Sequence, residues 1–526
     1  MTPGYLVIAL HAHLPFVRHP EYDHALEENW LYEAIIESYV PLILMIERLL
    51  DDGIDFRVTF SITPTLSSMF EDPYLQSRCV ERVESLIELA HKEIRRTKSE
   101  PSFRPLSVMY KNLLQKVRQT FVDRYRCNLT DAFRKLQESG KIEIIASAAT
   151  HGYLPLLSSH PSSVRGQVKV GATYHQRTFG KRPAGFWLPE CGFYPGLDEL
   201  LGEERIRYCV LETHGVTRAR PRPRHGVYAP IFSPSGVAFF GRDPSSSRQV
   251  WSSIEGYPGD HDYREFYRDV AFDLGLDYIG PYVHHSGTRF DTGFKYYRIT
   301  DKTQRKEPYS PQRADQKARL HAEHFVAEKI KDVTAVSASM DRPPLIVAPY
   351  DAELFGHWWF EGPKWLDHVI RNVARQQKKI RLVTLSEYLA EYPVNQIAVP
   401  SSSSWGNKGY HTTWHNWSNE WIYRHLDRGG LVMERLASRH PRARGFKLRA
   451  LRQAARELLL AQASDWAFMI NSGSMKEYAT RRTKTHLLRL HRLAHQIESG
   501  RIDREWLVAI EKQDDIFPEI DYRDFA

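Results

Sequence analysis

The sequence is poor in cysteine: Cys79, Cys127, Cys191 and Cys209 are the only four in 526 residues, far apart and without a CxxC. That scarcity argues against a disulfide framework or a zinc ribbon and fits a reducing cytosol, so a cytoplasmic location is expected. No apolar stretch approaches the roughly 18 residues that a membrane span needs. The opening residues, MTPGYLVIALHAHLPF, carry no basic segment ahead of their short apolar run and read as a first strand rather than a signal peptide. No GxGxxG follows a strand-like run, which removes the usual sign of a dinucleotide fold. Internal repeats are also lacking. Charge of one sign is in only mild excess, at a formal +8. One basic run, RARPRPRH from Arg218 to His225, stands out. It has no aromatic-rich binding motif beside it, so it reads as a solvated Pro-rich loop, and no nucleic-acid partner is expected.

Aromatic residues, in contrast, are plentiful, with 12 Trp and 27 Tyr. Such rings suit sugar faces and ordinary cores alike, so composition alone does not separate the two uses.

Over the first two thirds, short strand-like runs alternate with helical patterns. The runs are Tyr5 to His13, Phe56 to Ile62, Lys141 to Gly152, GFWLPE, Ile206 to Glu212, Gly236 to Asp243 and Pro344 to Glu353. That alternation predicts an α/β fold with a mostly parallel sheet. Several runs end in a polar residue suited to chemistry: His11 and His13, His151, Glu190, Arg242, Asp351. A barrel gathers strand ends around one pocket, so a barrel is expected over a doubly wound sheet. From about residue 418 the chain becomes helical and Arg-rich, preceded by a Ser/Gly-rich connector, VPSSSSWGNKGYHTTWHNW, that is loaded with Trp.

Four groups of residues can carry chemistry. His11 and His13, at i and i+2 of a strand, share a face and enter one pocket, as metal ligands, substrate contacts or structural hydrogen-bond partners. Glu190 leaves an apolar strand and enters an aromatic-lined turn. Asp351 and Glu353 follow the run LIVAP and point the same way, so spacing does not choose between them. Two carboxylates from different strand ends are what glycosidic cleavage requires, one as nucleophile or base and the other as acid. The plain alternative for each is a helix cap or an ion-pair partner. Trp251, Trp358, Trp359, Trp405, Trp414, Trp417 and Trp466 form the fourth group, and Trp405 and Trp414 lie in a polar loop where stacking on sugar is a natural use.

HAHLPF, ASAATHGYLPLL, GFWLPE and APYDAELFGHWW resemble the ordered signature regions of glycoside hydrolase family 57. QVWSS with GYPG, then SSSWG and ASDWAF, resemble its α-1,4-glucan branching subgroup. The resemblance runs from Leu6 to the C-terminal IFPEID. It implies a distorted (β/α)7 barrel over residues 1–398 with a helical insertion around 71–138, and a C-terminal helical domain over 399–526. It also implies a retaining double displacement on α-1,4-glucan as donor and acceptor, with no metal and no cofactor, in a chain expected to be a monomer. Matched motif by motif, Glu190 is implied as nucleophile, Asp351 as general acid/base and Glu353 as support. His11, His13 and His151 would line the attacked sugar, while Arg242, Trp251, Gly259, Trp405, Trp414 and Asp465 would bind glucan.

Branching enzymes of this family often carry a long mobile loop with a tyrosine near its tip. The corresponding stretch here, Thr213 to Gly236, is short, has four prolines and is rich in arginine, with Tyr228 as the candidate tyrosine. A loop unable to close would let water compete, so branching with an appreciable hydrolytic component is expected. An α-amylase or 4-α-glucanotransferase on the same scaffold, and a non-catalytic glucan-binding protein, are the alternatives.

Overall fold

The computed structural model describes residues 4–252, 255–301, 303 and 305–526; Ser253, in the QVWSS motif, lies outside them. The strands are β1 Gly4–Ala12, β2 Val58–Ile62, β3 Ile142–Ser147, β4 Gly185–Trp187, β5 Tyr208–Leu211, β6 Ile231–Phe232, β7 Ala238–Gly241, β8 Leu345–Asp351 and β9 Ile380–Leu382. They form one sheet in the order β6-β7-β5-β4-β3-β2-β1-β8, with β9 also paired to β1. Every pairing is parallel except β6 with β7. Parallel neighbours need a crossover, and helices supply it between most of them.

Strand alternation sorts the side chains into two cores. Tyr5, Val7 and Ala9 of β1 pack with Ile145, Trp187, Tyr208, Val210, Phe240, Leu345 and Val347 inside the curled sheet. Leu6, Ile8 and Leu10 face the outer helices instead. Burial on both faces is why these strands read as continuous apolar runs. The expected barrel order is present, but the sheet is a curled, open one. Between β7 and β8, among the described residues, a single backbone hydrogen bond crosses, from Asp243 N to Val347 O at 2.8 Å. β6 and β9 escaped the sequence reading because β6 has only two residues and β9, with Arg381 exposed at its centre, does not form the short apolar run that marks β4.

The helical stretch after β1 is not continuous. It runs as Asn29–Ala34, a π-turn Ile35–Tyr39 and Val40–Asp51. Pro41 has no N–H to give the Glu37 carbonyl, and the backbone widens there. Between β2 and β3 lie the helices Pro73–Arg96, Arg104–Arg118 and Leu129–Glu138. The C-terminal region is all-helical: Trp421–Arg439, Gly445–Ala461, Ser464–Ser472, Lys476–Ser499 and Arg504–Gln513. Among the described residues, no helix is long and apolar enough to cross a membrane.

Candidate active site

A cavity of about 620 Å³ opens at the C-terminal ends of the strands. Its lining includes His11, His13, His151, Glu190, Arg242, Trp251, Asp351, Glu353, Trp405, Trp414 and Asp465. Eleven of the twelve residues carried over by resemblance therefore meet in one place. Gly259 does not: it lies in the turn Tyr257–Gly259, and Tyr257 holds that turn against the long helix Pro311–Ser337 by stacking on His321 and bonding His324.

Register explains part of the convergence. His11 of β1 sits level with Ser61 of β2 and with Asp351 of β8. Ser61 and Thr63 repeat the i, i+2 spacing of His11 and His13 on the next strand, and each bonds the histidine beside it. His11 Nδ1 is 3.1 Å from Ser61 Oγ, and His13 Nδ1 is 3.1 Å from Thr63 Oγ1. His13 Nε2 lies 3.1 Å from Asp465 Oδ1. His11 Nε2 meets His151 Nε2 at 3.0 Å, and His151 Nδ1 reaches Ser464 Oγ at 2.9 Å. Each of these ring nitrogens is thus committed to a protein side chain, which favours the hydrogen-bonding readings of the His pair. Burial drives His11 and His151 well below the usual histidine range. Burial also opposes charge on His13, but Asp465, Glu190 and Glu353 outweigh it and raise its pKa.

Glu190 occupies a strained position. Its φ is 60° and ψ 22°, in the left-handed region that costs a non-glycine residue about 1–3 kcal/mol. The turn is held from outside. Cys191 N and Gly192 N bond back to Leu188 and Pro189, Trp405 N donates to Glu190 O at 3.0 Å, and Phe193 N donates to Ser403 O. The carboxylate is held too: Trp405 Nε1 donates to Oε2 at 2.7 Å and Ser464 Oγ to Oε1 at 2.9 Å. Burial raises the Glu190 pKa, and these two hydrogen bonds together with His13 oppose the rise.

Asp351 differs in kind. Among the described residues its carboxylate receives no hydrogen bond or ion pair. Burial first, then the nearby Glu353 and Glu190 carboxylates, drive its pKa well above the usual range against the pull of Arg242. Glu353 is engaged instead, accepting from His13 N at 3.0 Å and from the Tyr39 hydroxyl.

The aromatic wall centres on Trp405, edge-on to Trp187 and Trp251, with the Arg242 guanidinium 5.6 Å from its ring. Arg242 is fixed by Glu212 at 2.9 Å and Ser247 at 2.5 Å. Trp251 is 40% exposed, whereas Trp414 is buried and stacked on Tyr153 at 4.4 Å, a back wall rather than an open platform. Sequence reasoning missed Ser464, Asn407, Thr413 and Phe468; only the position of Ser464 beside Asp465 in ASDWAF signalled its place.

The loop from Thr213 to Gly236 contributes no lining residue. It is tied down by reciprocal bonds between Arg220 and Val399, by Gln396 on Arg222 and Arg224, and by Tyr228 O accepting from Leu345 N. Tyr228 is thereby placed beside the start of β8 rather than in the cavity.

One turn beside the site is testable through stability. Gly356 has φ +111°, and a Cβ there would lie 1.8 Å from the Glu37 carbonyl oxygen of the π-turn. Gly356→Ala is expected to cost about 3 kcal/mol or more, read as a fall in denaturation midpoint, because strain and clash add.

A family model described as "Glycosyl hydrolase family 57" matches residues 7–400, and one described as "1,4-alpha-glucan branching enzyme, C-terminal" matches residues 425–525. A 1,4-alpha-glucan branching enzyme of Thermococcus kodakarensis is 34% identical, over 98% of this chain and 77% of its own length. Among solved structures, the alpha-amylase AmyC from Thermotoga maritima is 44% identical with a TM-score of 0.93, over 100% of this chain and 99% of that one. A GH57-type branching enzyme from Pyrococcus horikoshii is 33% identical with a TM-score of 0.89, over 99% and 97%. With a matching family model that spans well over half of its residues, the chain belongs to glycosyl hydrolase family 57.

Proposed function

We propose that this protein is a 1,4-α-glucan branching enzyme that works by a retaining double displacement. Glu190 attacks the anomeric carbon of an α-1,4-linked glucan while Asp351 gives its proton to the departing O4, leaving a glycosyl ester on Glu190. Asp351, now ionised, takes the proton of an acceptor 6-hydroxyl, whose oxygen displaces Glu190 and forms an α-1,6 branch. His11, His13 and His151 line the attacked sugar; Arg242, Trp251, Trp405 and Asp465 bind the flanking glucan, with Trp414 as the wall behind it.

The observation that carries this reading is the unequal treatment of two carboxylates in one cavity. Glu190 accepts two hydrogen bonds that favour its charged form, while Asp351 is buried beside other acids, which favours its protonated form. Environments that push two titratable groups apart assign the base and the acid. The relatives named as branching enzymes, and the branching-enzyme C-terminal match, support the choice of acceptor.

A second reading, hydrolysis, is favoured by the tethered loop and by the likeness to AmyC. With nothing from residues 213–236 over the cavity, water reaches the glycosyl ester more freely. Incubation with amylose, scored by proton NMR for α-1,6 linkages against new reducing ends, decides between them. We expect both products; reducing ends without new branches would overturn the branching assignment.

A further inference from the structure

We propose that Ser464 is the positioning residue of the nucleophile, the last member of a one-directional hydrogen-bond train that starts at Ser61 and ends on Glu190. The inference rests on the reading of Glu190 as nucleophile and adds what holds it. The train has four links: Ser61 Oγ to His11 Nδ1 at 3.1 Å, His11 Nε2 to His151 Nε2 at 3.0 Å, His151 Nδ1 to Ser464 Oγ at 2.9 Å, and Ser464 Oγ to Glu190 Oε1 at 2.9 Å.

Its direction follows from proton counting. An ionised Glu190 only accepts, so Ser464 spends its single hydroxyl proton on Oε1. Ser464 Oγ must then accept from His151, which places the His151 proton on Nδ1 and its lone pair on Nε2. Only one proton fits between the two Nε2 atoms, and it belongs to His11. The lone pair of His11 therefore sits on Nδ1, where Ser61 donates. Each imidazole carries one proton, the neutral state that burial of both rings favours. A second proton on His151 would set two N–H groups against each other across the Nε2 pair, and one on His11 would displace the hydroxyl proton that Ser61 gives to Nδ1. Ser464 itself is fixed by its backbone, since its N–H donates to His151 O at 3.1 Å. The nucleophile is thereby oriented by the first residue of a C-terminal helix, Ser464–Ser472.

The groups facing Glu190 are His13 just after β1, His151 from the turn after β3, Asp351 from β8, Asp465 from the same helix as Ser464, the neighbouring Cys191, and Tyr153 and Tyr423. Ser464→Ala leaves all of these in place and removes one hydrogen bond from the charged form of Glu190. A bond to a charged group is worth about one to two pH units of titration. The acid limb of kcat/KM on maltoheptaose is therefore expected to move upward by about that amount in the Ala variant, with kcat/KM at neutral pH down by about 10-fold or more. Ser464→Thr, which keeps the hydroxyl, restores the parent limb. Ser464→Cys, a weaker donor of similar volume, gives a smaller shift in the same direction and reads the effect should the Ala variant not fold. An unmoved acid limb in a folded Ala or Cys variant, or a Thr variant that behaves like Ala, would overturn the inference. Azide reactivation of Glu190→Ala tests the nucleophile separately. Reactivation together with an unmoved limb removes Ser464 alone, whereas no reactivation removes the nucleophile reading on which it stands.

Discussion

Glu190→Gln is expected to lower kcat on amylose by about 10⁴-fold or more, the scale on which loss of a covalent nucleophile is felt. The amide fills the same space but carries no charge, and its oxygen is a poor nucleophile. Trp405 Nε1 and Ser464 Oγ both donate to the present carboxylate, so a glutamine leaves one donor facing its NH₂ group. Folding survives that mismatch, because the native carboxylate is itself costly: it is buried and its backbone is strained. The denaturation midpoint of Glu190→Gln is therefore expected to match the parent's within a few degrees. Glu190→Gly, which accepts φ 60° without strain, is expected to be at least as stable as the parent. Glu190→Ala opens room on the attacked face. With an aryl α-maltoside bearing a good leaving group, added azide is expected to restore turnover and to yield the β-glycosyl azide. Full activity of Glu190→Gln, or an azide product of the α configuration, would remove Glu190 from the nucleophile's place.

How far the sequence carried this reading depends on the kind of signal. Strands buried on both faces write themselves as apolar runs, so β1, β4 and β8 and the residues at their ends were legible. The i, i+2 rule placed His11 and His13 together before any geometry was known. The choice between Asp351 and Glu353 was not legible from spacing, since both lie on one face. What each carboxylate touches favours Asp351 as the acid: among the described residues, Tyr39 and His13 N engage Glu353, and no hydrogen bond or ion pair engages Asp351. Ser464 left no pattern because a single hydroxyl acquires meaning only from partners hundreds of residues away. Trp414 was read as an exposed platform from its polar neighbours, but Tyr153 covers its face. Gly259 lies away from the cavity lining, in a turn that packs through Tyr257 onto a helix. The only sign in the sequence of the π-turn at Ile35–Tyr39 is Pro41, which cannot donate to the Glu37 carbonyl.

Asp351→Asn carries the second large effect, and its signature is the pH profile. Burial and the flanking carboxylates raise the Asp351 pKa well above its ordinary value, which favours the protonated form that the proposed acid needs. Glycosyl transfer to Glu190 needs that proton, and kcat/KM must fall as pH rises through the Asp351 pKa. An asparagine cannot protonate O4, and the loss on amylose is expected to be about 10²–10⁴-fold. With an aryl leaving group that departs unaided, formation of the glycosyl ester is expected to be nearly normal, while its breakdown, which needs the base, is slow. A burst of phenol followed by slow turnover is the expected trace, and the alkaline limb of the first step should vanish. Glu353→Gln probes the cause. Removing that neighbouring charge lowers the Asp351 pKa, so the alkaline limb should move to lower pH. Stability gives an independent sign. Between the ordinary carboxyl pKa of about 4 and the raised folded value, the native state holds a proton that the unfolded chain has released. The contribution of Asp351 is therefore fully present below pH 4 and is lost as pH rises through its folded pKa, and Asp351→Asn escapes that loss. Denaturation midpoints measured from pH 4 to 8 should show the variant gaining on the parent as pH rises; a constant difference would mean that Asp351 titrates like an ordinary surface acid and does not hold the proton assigned to it.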